Sequence, residues 1–407
     1  MKTMVVDDCL VMSIYLSSTK HSLGELGRML ADIETTGGAG DKASPMLRRC
    51  TGRVLDVHEE RPGVGVVQLG LPLENLNWDN ASSAFASMYL YMIGGASMAW
   101  MEYEQSKLLD FSLPDKALAI FPGPRWGAAG SRKWLHAAAS DLLVGTIVKP
   151  TAGLTPAEVA HLCGQATEGG MKFIKDDEKM ANPPYCPLVP RVRAVVEAMK
   201  AAQDKSGNRC LYAPHITTGP DQIVGNAHAV LELGASALMV NMFAAGFHSL
   251  LLLRTQIPND VPIYGHCGGK EAMCRAENQG VSMEVVAKFA RLMGADYFRI
   301  GLPGGYLVGN SDQDLRGLFA AMTAPMGPVP AMMPACSGGL KPANLGGALE
   351  MFGDRAMYLA GTGITKHPQG VAAGVLALQQ AAEAFRKNIP VQEYAKTHEA
   401  LKTGLTI

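Results

Sequence analysis

From about residue 140 onward the chain repeats one beat: a short apolar run, a polar or glycine-rich corner, then an amphipathic helical stretch. The apolar runs predict strands near 142–149, 171–176, 209–214, 236–241, 261–265, 296–300, 329–335 and 356–360. The periodic stretches predict helices near 155–168, 188–204, 220–233, 244–255, 282–293, 311–323, 342–352 and 370–386. Strands and helices alternating eight times over roughly 250 residues meet the requirement of a (β/α)8 TIM barrel. Runs such as LLVGTIV, ALMVN and VPAMMPA are apolar without alternation, as strands of a parallel sheet covered on both faces should be. The first ~120 residues read differently. Two β-type runs, 9–16 and 63–71, flank a helical stretch at 23–32, which predicts a smaller α+β domain of the ferredoxin-like type. FPGPRWG, at 121–127, is a Pro/Gly-rich linker. The expected organisation is a domain over 1–120, a barrel over 121–390 and a helical tail over 391–407.

Barrel enzymes carry their chemistry where the strands end and the βα loops gather. Residues 169–178, GGMKFIKDDE, end the second strand in one lysine and three carboxylates. Alternation along a strand points Phe173, Lys175 and Asp177 the same way, with Glu178 at the tip. Two converging carboxylates suit a hard divalent cation such as Mg²⁺. A lysine beside them repels a cation unless CO₂ has converted its amine to a carbamate, which adds a third anionic oxygen. Taken alone, the segment also reads as a charge-rich surface turn. The other strand ends decide between them: Lys149 on the first, His215, Asn241, His266 and Arg299 on the third to sixth. The seventh ends in Ser337, Gly338 and Gly339, and the eighth in Gly361, Thr362 and Gly363. Glycine corners let backbone N–H groups crowd an anion, and phosphate sites after the last two strands recur in this architecture. Tight turns alone would also use these glycines. The loops at 265–270 and 301–306 are rich in glycine as well and read as active-site loops.

Composition narrows the function without naming it. With 407 residues, 48% hydrophobic and 18% charged, the chain is globular. A net charge of −1 supports neither a nucleic-acid nor a membrane-surface partner. The 8 cysteines form no CxxC pair, which suits a reducing compartment. Acidic residues in MKTMVVDDCLVM stand where a secretion signal needs an apolar core, so a cytoplasmic location is expected. Residues 234–253 approach membrane-spanning length, but Asn241, His248 and a break at 244–246 divide them into a buried strand and a buried helix.

FPGPRWG before the barrel, GTIVKP and GLT at strand one, GGMKFIKDDE, GH at strand five, SGG at strand seven and GTGITKHPQG after strand eight together resemble the large subunit of ribulose-bisphosphate carboxylase (RuBisCO). They resemble still more its RuBisCO-like (form IV) relatives. The resemblance implies that Lys175 is carbamylated by CO₂ and binds Mg²⁺ with Asp177 and Glu178. It makes Lys149 an acid/base lysine and places His266 near substrate oxygens. It also implies a homodimer or dimer-based oligomer whose sites lie at a head-to-tail interface, with Glu34 matching a glutamate of the partner domain.

The departures bear on activity. Where carboxylases carry a second strand-one lysine this chain has Thr151, and Cys267 follows His266 in place of an arginine. Arg299 replaces the strand-six histidine, Tyr306 stands for the mobile-loop lysine that directs CO₂ addition, and the partner-domain asparagine is lost around Gly95. CO₂ fixation is therefore not expected. The resemblance instead implies an Mg²⁺-dependent enzyme that enolises a small keto-sugar monophosphate. The preferred form is a sugar-acid decarboxylase of the 3-oxo-isoapionate-4-phosphate type, because Lys270 and Arg299 can hold a carboxylate. Alternatives are the diketo-methylthiopentyl-1-phosphate enolase or methylthioribulose-1-phosphate isomerase of methionine salvage, and a catalytically silent binding or regulatory protein.

Overall fold

The computed structural model describes residues 2–39, 44–307, 309 and 311–407. In chain order its strands are β1 (Cys9–Ser17), β2 (Arg53–Arg61), β3 (Val64–Pro72), β4 (Gln105–Ser112), β5 (Leu143–Ile147), β6 (Phe173–Lys175) and β7 (Leu211–Ala213). They continue with β8 (Leu238–Asn241), β9 (Ile263–His266), β10 (Gly280–Val281), β11 (Tyr297–Ile300), β12 (Met333–Cys336) and β13 (Met357–Ala360). The chain divides into two compact units. One holds residues up to Pro122 with Gly269–Leu292 and Pro325–Val329; the other holds Gly123–Gly268, Met293–Ala324 and Pro330–Ile407.

In the first unit the sheet order is β10-β4-β1-β3-β2, with β1 antiparallel to β3 and β4. Helices Leu23–Thr36 and Ala81–Ile93 follow β1 and β3, giving the β-α-β-β-α-β order of a ferredoxin-like domain. Helix Leu23–Thr36 starts at Ser22, whose side chain accepts the Glu25 N–H, and stops at Gly37 in the left-handed region at φ 65°. Leu23, Leu26, Leu30 and Ala31 supply its buried stripe. Helix Met283–Leu292, read from sequence as a barrel helix, packs on β4 and belongs to this unit. Phe289 explains the choice: its ring meets Phe85 at 5.1 Å and Phe111 at 5.4 Å, while Lys288 bonds Asp110 at 2.5 Å.

The second unit is the barrel. Among the described residues its sheet runs β7-β6-β5-β13-β12-β11-β9-β8, and its paired strands are parallel. The strands start and end within a few residues of their predicted bounds. Backbone bonds close the gap between β7 and β8: Ala237 N to Tyr212 O, Met239 N to Pro214 O and Ile216 N to Met239 O, each 3.0 Å. Phe173, Tyr264, Tyr297, Met333 and Leu359 fill the interior as side chains from successive strands meet. The linker reading of FPGPRWG gains a reason here. Asp296 accepts the N–H groups of Arg125 (2.8 Å) and Trp126 (2.6 Å) and pairs with buried Arg254, so this entry segment is pinned. Helices Val391–Ala395 and Glu399–Gly404 end the chain against helix Val371–Arg386. Among the described residues, no helix is long and apolar enough to cross a membrane.

Candidate active site

Strand β6 ends in Lys175, 2% exposed, with its ammonium 5.5 Å from the centre of the Tyr264 ring. Its amine donates to the Asp176 carbonyl at 3.0 Å and forms no ion pair with Asp177 or Glu178. Burial lowers its pKa below the usual lysine range, reinforced by Lys149 and opposed by Glu178, Asp177 and Asp176. A buried lysine leaning toward neutrality is the nucleophilic form that CO₂ requires.

The three carboxylates of KDDE separate by face. Asp176 turns away from Lys175 and Asp177, as strand alternation requires. It pairs with fully buried Arg191 (Nε to Oδ2, 3.1 Å) and accepts the Tyr212 hydroxyl and the His215 N–H at 2.9 Å each. Asp177 is fully buried and bonded to Lys149 Nζ at 2.5 Å, with Thr151 Oγ1 2.9 Å from that nitrogen. Glu178 is half-open to solvent and lies 3.8 Å from His266 Nε2. The Gly268 N–H donates to His266 Nδ1 at 3.1 Å, so the ring proton is assigned to Nε2, on the Glu178 side.

The donor set fits the expected ion. Among the described residues no three His, Cys, Asp or Glu side chains gather as a metal site. Asp177 and Glu178 therefore need a third anionic donor, and Lys175, as a carbamate, is the residue beside them in sequence that can become one. Oxygen donors of this kind suit Mg²⁺.

The rim glycines serve different ends. Gly338 and Gly339 sit at φ 109° and 103°, where a side chain is strained. A Cβ on Gly338 would lie 3.1 Å from Arg299 Nη2, and one on Gly339 3.1 Å from the Tyr306 ring. The Ser337 N–H is spent on Ile300 O at 3.0 Å. Gly361 packs against the Lys149 stem, and a Cβ on Gly363 would overlap the Leu340 carbonyl. Thr362 and Gly363 open helix Thr362–Thr365, so their N–H groups have no partner within it. Lys270, read from sequence as free to hold a carboxylate, already pairs with Glu271, and it belongs to the other unit. Arg299 differs: its Nη2 is buried without a hydrogen-bond partner. In the first unit, Glu34 accepts the Ser97 N–H at 2.8 Å, and burial raises its pKa. A Cβ on Gly95 would overlap the Glu34 carboxylate, so a side chain at 95 and this glutamate pose exclude each other.

Sequence reading placed His215 on the rim without giving it a role, and did not single out Thr217 or Tyr264. Tyr264 Oη and His215 Nδ1 are, like Arg299 Nη2, buried without a partner. Leaving such an atom unpaired costs about 1–3 kcal/mol, so each calls for a partner, water or ligand.

Comparison with known proteins gives the family and agrees with the fold. Residues 127–407 match the family model "Ribulose bisphosphate carboxylase large chain, catalytic domain". The chain belongs to the RuBisCO large-chain family. A 3-oxo-isoapionate-4-phosphate decarboxylase of Rhizobium rhizogenes is 34% identical over 304 residues, 74% of this chain and 71% of that protein. An uncharacterised ribulose bisphosphate carboxylase-like protein of Bordetella bronchiseptica is 29% identical over 96% of each chain. The crystal structure of a rubisco-like protein (MtnW) from Alicyclobacillus acidocaldarius superposes with a TM-score of 0.86 at 30% identity, covering 98% of this chain and 99% of that one.

Proposed function

We propose that this chain is a RuBisCO-like, Mg²⁺-dependent lyase that enolises and decarboxylates a small 3-keto sugar-acid monophosphate, of the kind that the Rhizobium relative's name describes. The observation that carries this reading is Lys149 held on Asp177 beside Lys175 and Glu178, with Arg299 Nη2 on β11 buried and without a partner. Mg²⁺ bound by carbamylated Lys175, Asp177 and Glu178 would supply a Lewis acid for the keto oxygen.

The chain's own residues do the rest. Arg299 holds the carboxylate, and the glycine corners at 337–339 and 361–363 hold the phosphate. His266 donates from Nε2 to a substrate oxygen. The bond between the carboxylate and the adjacent carbon breaks, its electron pair moves onto the keto oxygen, and CO₂ leaves. Lys149 then delivers a proton to that carbon. The enzyme works in the cytoplasm as a homodimer or dimer-based oligomer, with Glu34 of a second copy completing the site.

A second reading, an enolase or isomerase of methionine salvage, is favoured by likeness to the MtnW structure over almost its full length. Assaying the purified protein with Mg²⁺ and bicarbonate against a 3-keto sugar-acid phosphate and against a diketo or ketose phosphate separates the two. CO₂ release from the first is expected; turnover of the second without CO₂ would install the alternative, and turnover of neither would remove both. Lys149→Met should lose on the order of 10²–10⁴-fold in turnover while Mg²⁺ binding persists.

The lowered Lys175 pKa also sets a pH dependence. Protonation blocks attack on CO₂, so activation by CO₂ should fall as pH drops through that pKa. It should level off at a lower pH than a lysine near ~10.4 would give. Activation rates across the alkaline range measure this; a plateau at or above the ordinary lysine value contradicts it.

A further inference from the structure

His215 follows β7 by two residues and stands where the barrel closes, bridged to Met239 of β8. The residue is buried, with a relative exposure of 2%. Its backbone N–H is fixed to Asp176 Oδ2 at 2.9 Å, between the two site residues Lys175 and Asp177. Its Nε2 lies 2.5 Å from Thr217 Oγ1, and that oxygen accepts the Asn241 N–H at 2.8 Å. The other contact of that oxygen is a donor, so Nε2 is the acceptor the structure offers the Thr217 hydroxyl proton. This assigns the ring proton to Nδ1. Nδ1 is the buried atom without a partner. The imidazole is neutral, its pKa pushed down to about 3 by burial and then by Lys175 and Arg191, with Asp177 acting the other way.

A buried N–H donor with no acceptor, just past the strand paired with the one that ends in Lys175, is half of an interaction. We propose that His215 is a positioning residue whose Nδ1–H donates to the carbamate of Lys175 and so raises the affinity of that lysine for CO₂. The proposal rests on the carbamate reading of Lys175 given above. In the step concerned, the neutral Lys175 amine attacks CO₂, an N–C bond forms, one C–O π pair moves onto oxygen, and the amine proton leaves to solvent. The new carboxylate then accepts from His215, a charge-assisted bond in a site shielded from water. Thr217 acts one residue further out by fixing the tautomer, and Asn241 by fixing Thr217.

The test is carbon-13 NMR of the full-length protein titrated with labelled bicarbonate and Mg²⁺, which reads the carbamate directly and needs no substrate. His215→Asn keeps an N–H donor at the same bond distance from Cβ and should hold carbamate within about twofold of wild type. His215→Leu removes the donor and should need about tenfold more CO₂ for the same occupancy. Thr217→Val frees Nε2 to take the proton and should shift the titration in the same direction, which decides the matter if the leucine variant fails to fold. A folded His215→Leu, or Thr217→Val, with wild-type CO₂ affinity would overturn the proposal. If wild type itself shows no signal that Lys175→Ala abolishes, the carbamate reading falls and takes this inference with it. That outcome is distinct, because failure of the His215 role alone leaves the wild-type signal in place.

Discussion

Asp177→Asn is expected to abolish Mg²⁺ binding and CO₂ release from the substrate together while leaving the protein folded. Asp177 is fully buried, its Oδ1 accepts the Lys179 N–H at 3.0 Å, and its Oδ2 holds Lys149 at 2.5 Å. Asparagine keeps the shape and one acceptor, so the local turn should survive. What it removes is the negative charge that a hard cation requires of its oxygen ligands. A lost Lewis acid is worth several kcal/mol of barrier, so CO₂ release should fall by on the order of 10³-fold or more. Calorimetry with Mg²⁺ and a CO₂-release assay read the two effects separately. CO₂ release that survives the substitution would refute the metal assignment.

Arg191→Leu is expected to carry the largest cost in stability. The guanidinium is fully buried and spends every nitrogen: Nε on Asp176 at 3.1 Å, Nη1 on Cys186 O at 2.6 Å, Nη2 on Met180 O at 2.9 Å. Leucine would fill much of the space but leave Asp176 charged and buried, with only the Tyr212 hydroxyl and His215 N–H for partners. Removing one member of such a pair costs about 3–5 kcal/mol. Urea unfolding should show a loss of that order. Because Asp176 lies between Lys175 and Asp177, activity should fall with it. A shift below about 1 kcal/mol would mean that the pair contributes little and that the β6 tip is held by other contacts.

The shared facing of Lys175 and Asp177 at the end of β6 was legible because a strand has period two; their role as metal ligands is the proposal made above. The same period assigns Asp176 to the other face, yet it cannot name Arg191 as its partner, since helix periodicity does not say which arginine meets which strand. His215 shows the limit more sharply. Its network with Thr217 and Asn241 exists only because β7 and β8 meet to close the barrel, and adjacency between strands leaves no mark on hydropathy. Helix Met283–Leu292 was read correctly as a helix, but its aromatic contacts, not its place in the repeat, decide which unit holds it. β2 went unread because seven of its nine residues are exposed and none is buried, so no apolar face announced it. Gly363, read as an anion contact, is required first by the Leu340 backbone.

The most direct measurement is Mg²⁺ affinity of the wild-type protein in CO₂-free buffer and again in bicarbonate. A modified Lys175 as third ligand requires binding at least about tenfold tighter with CO₂ present, and Lys175→Ala should erase the difference. Equal affinity in both buffers would contradict a site completed by CO₂.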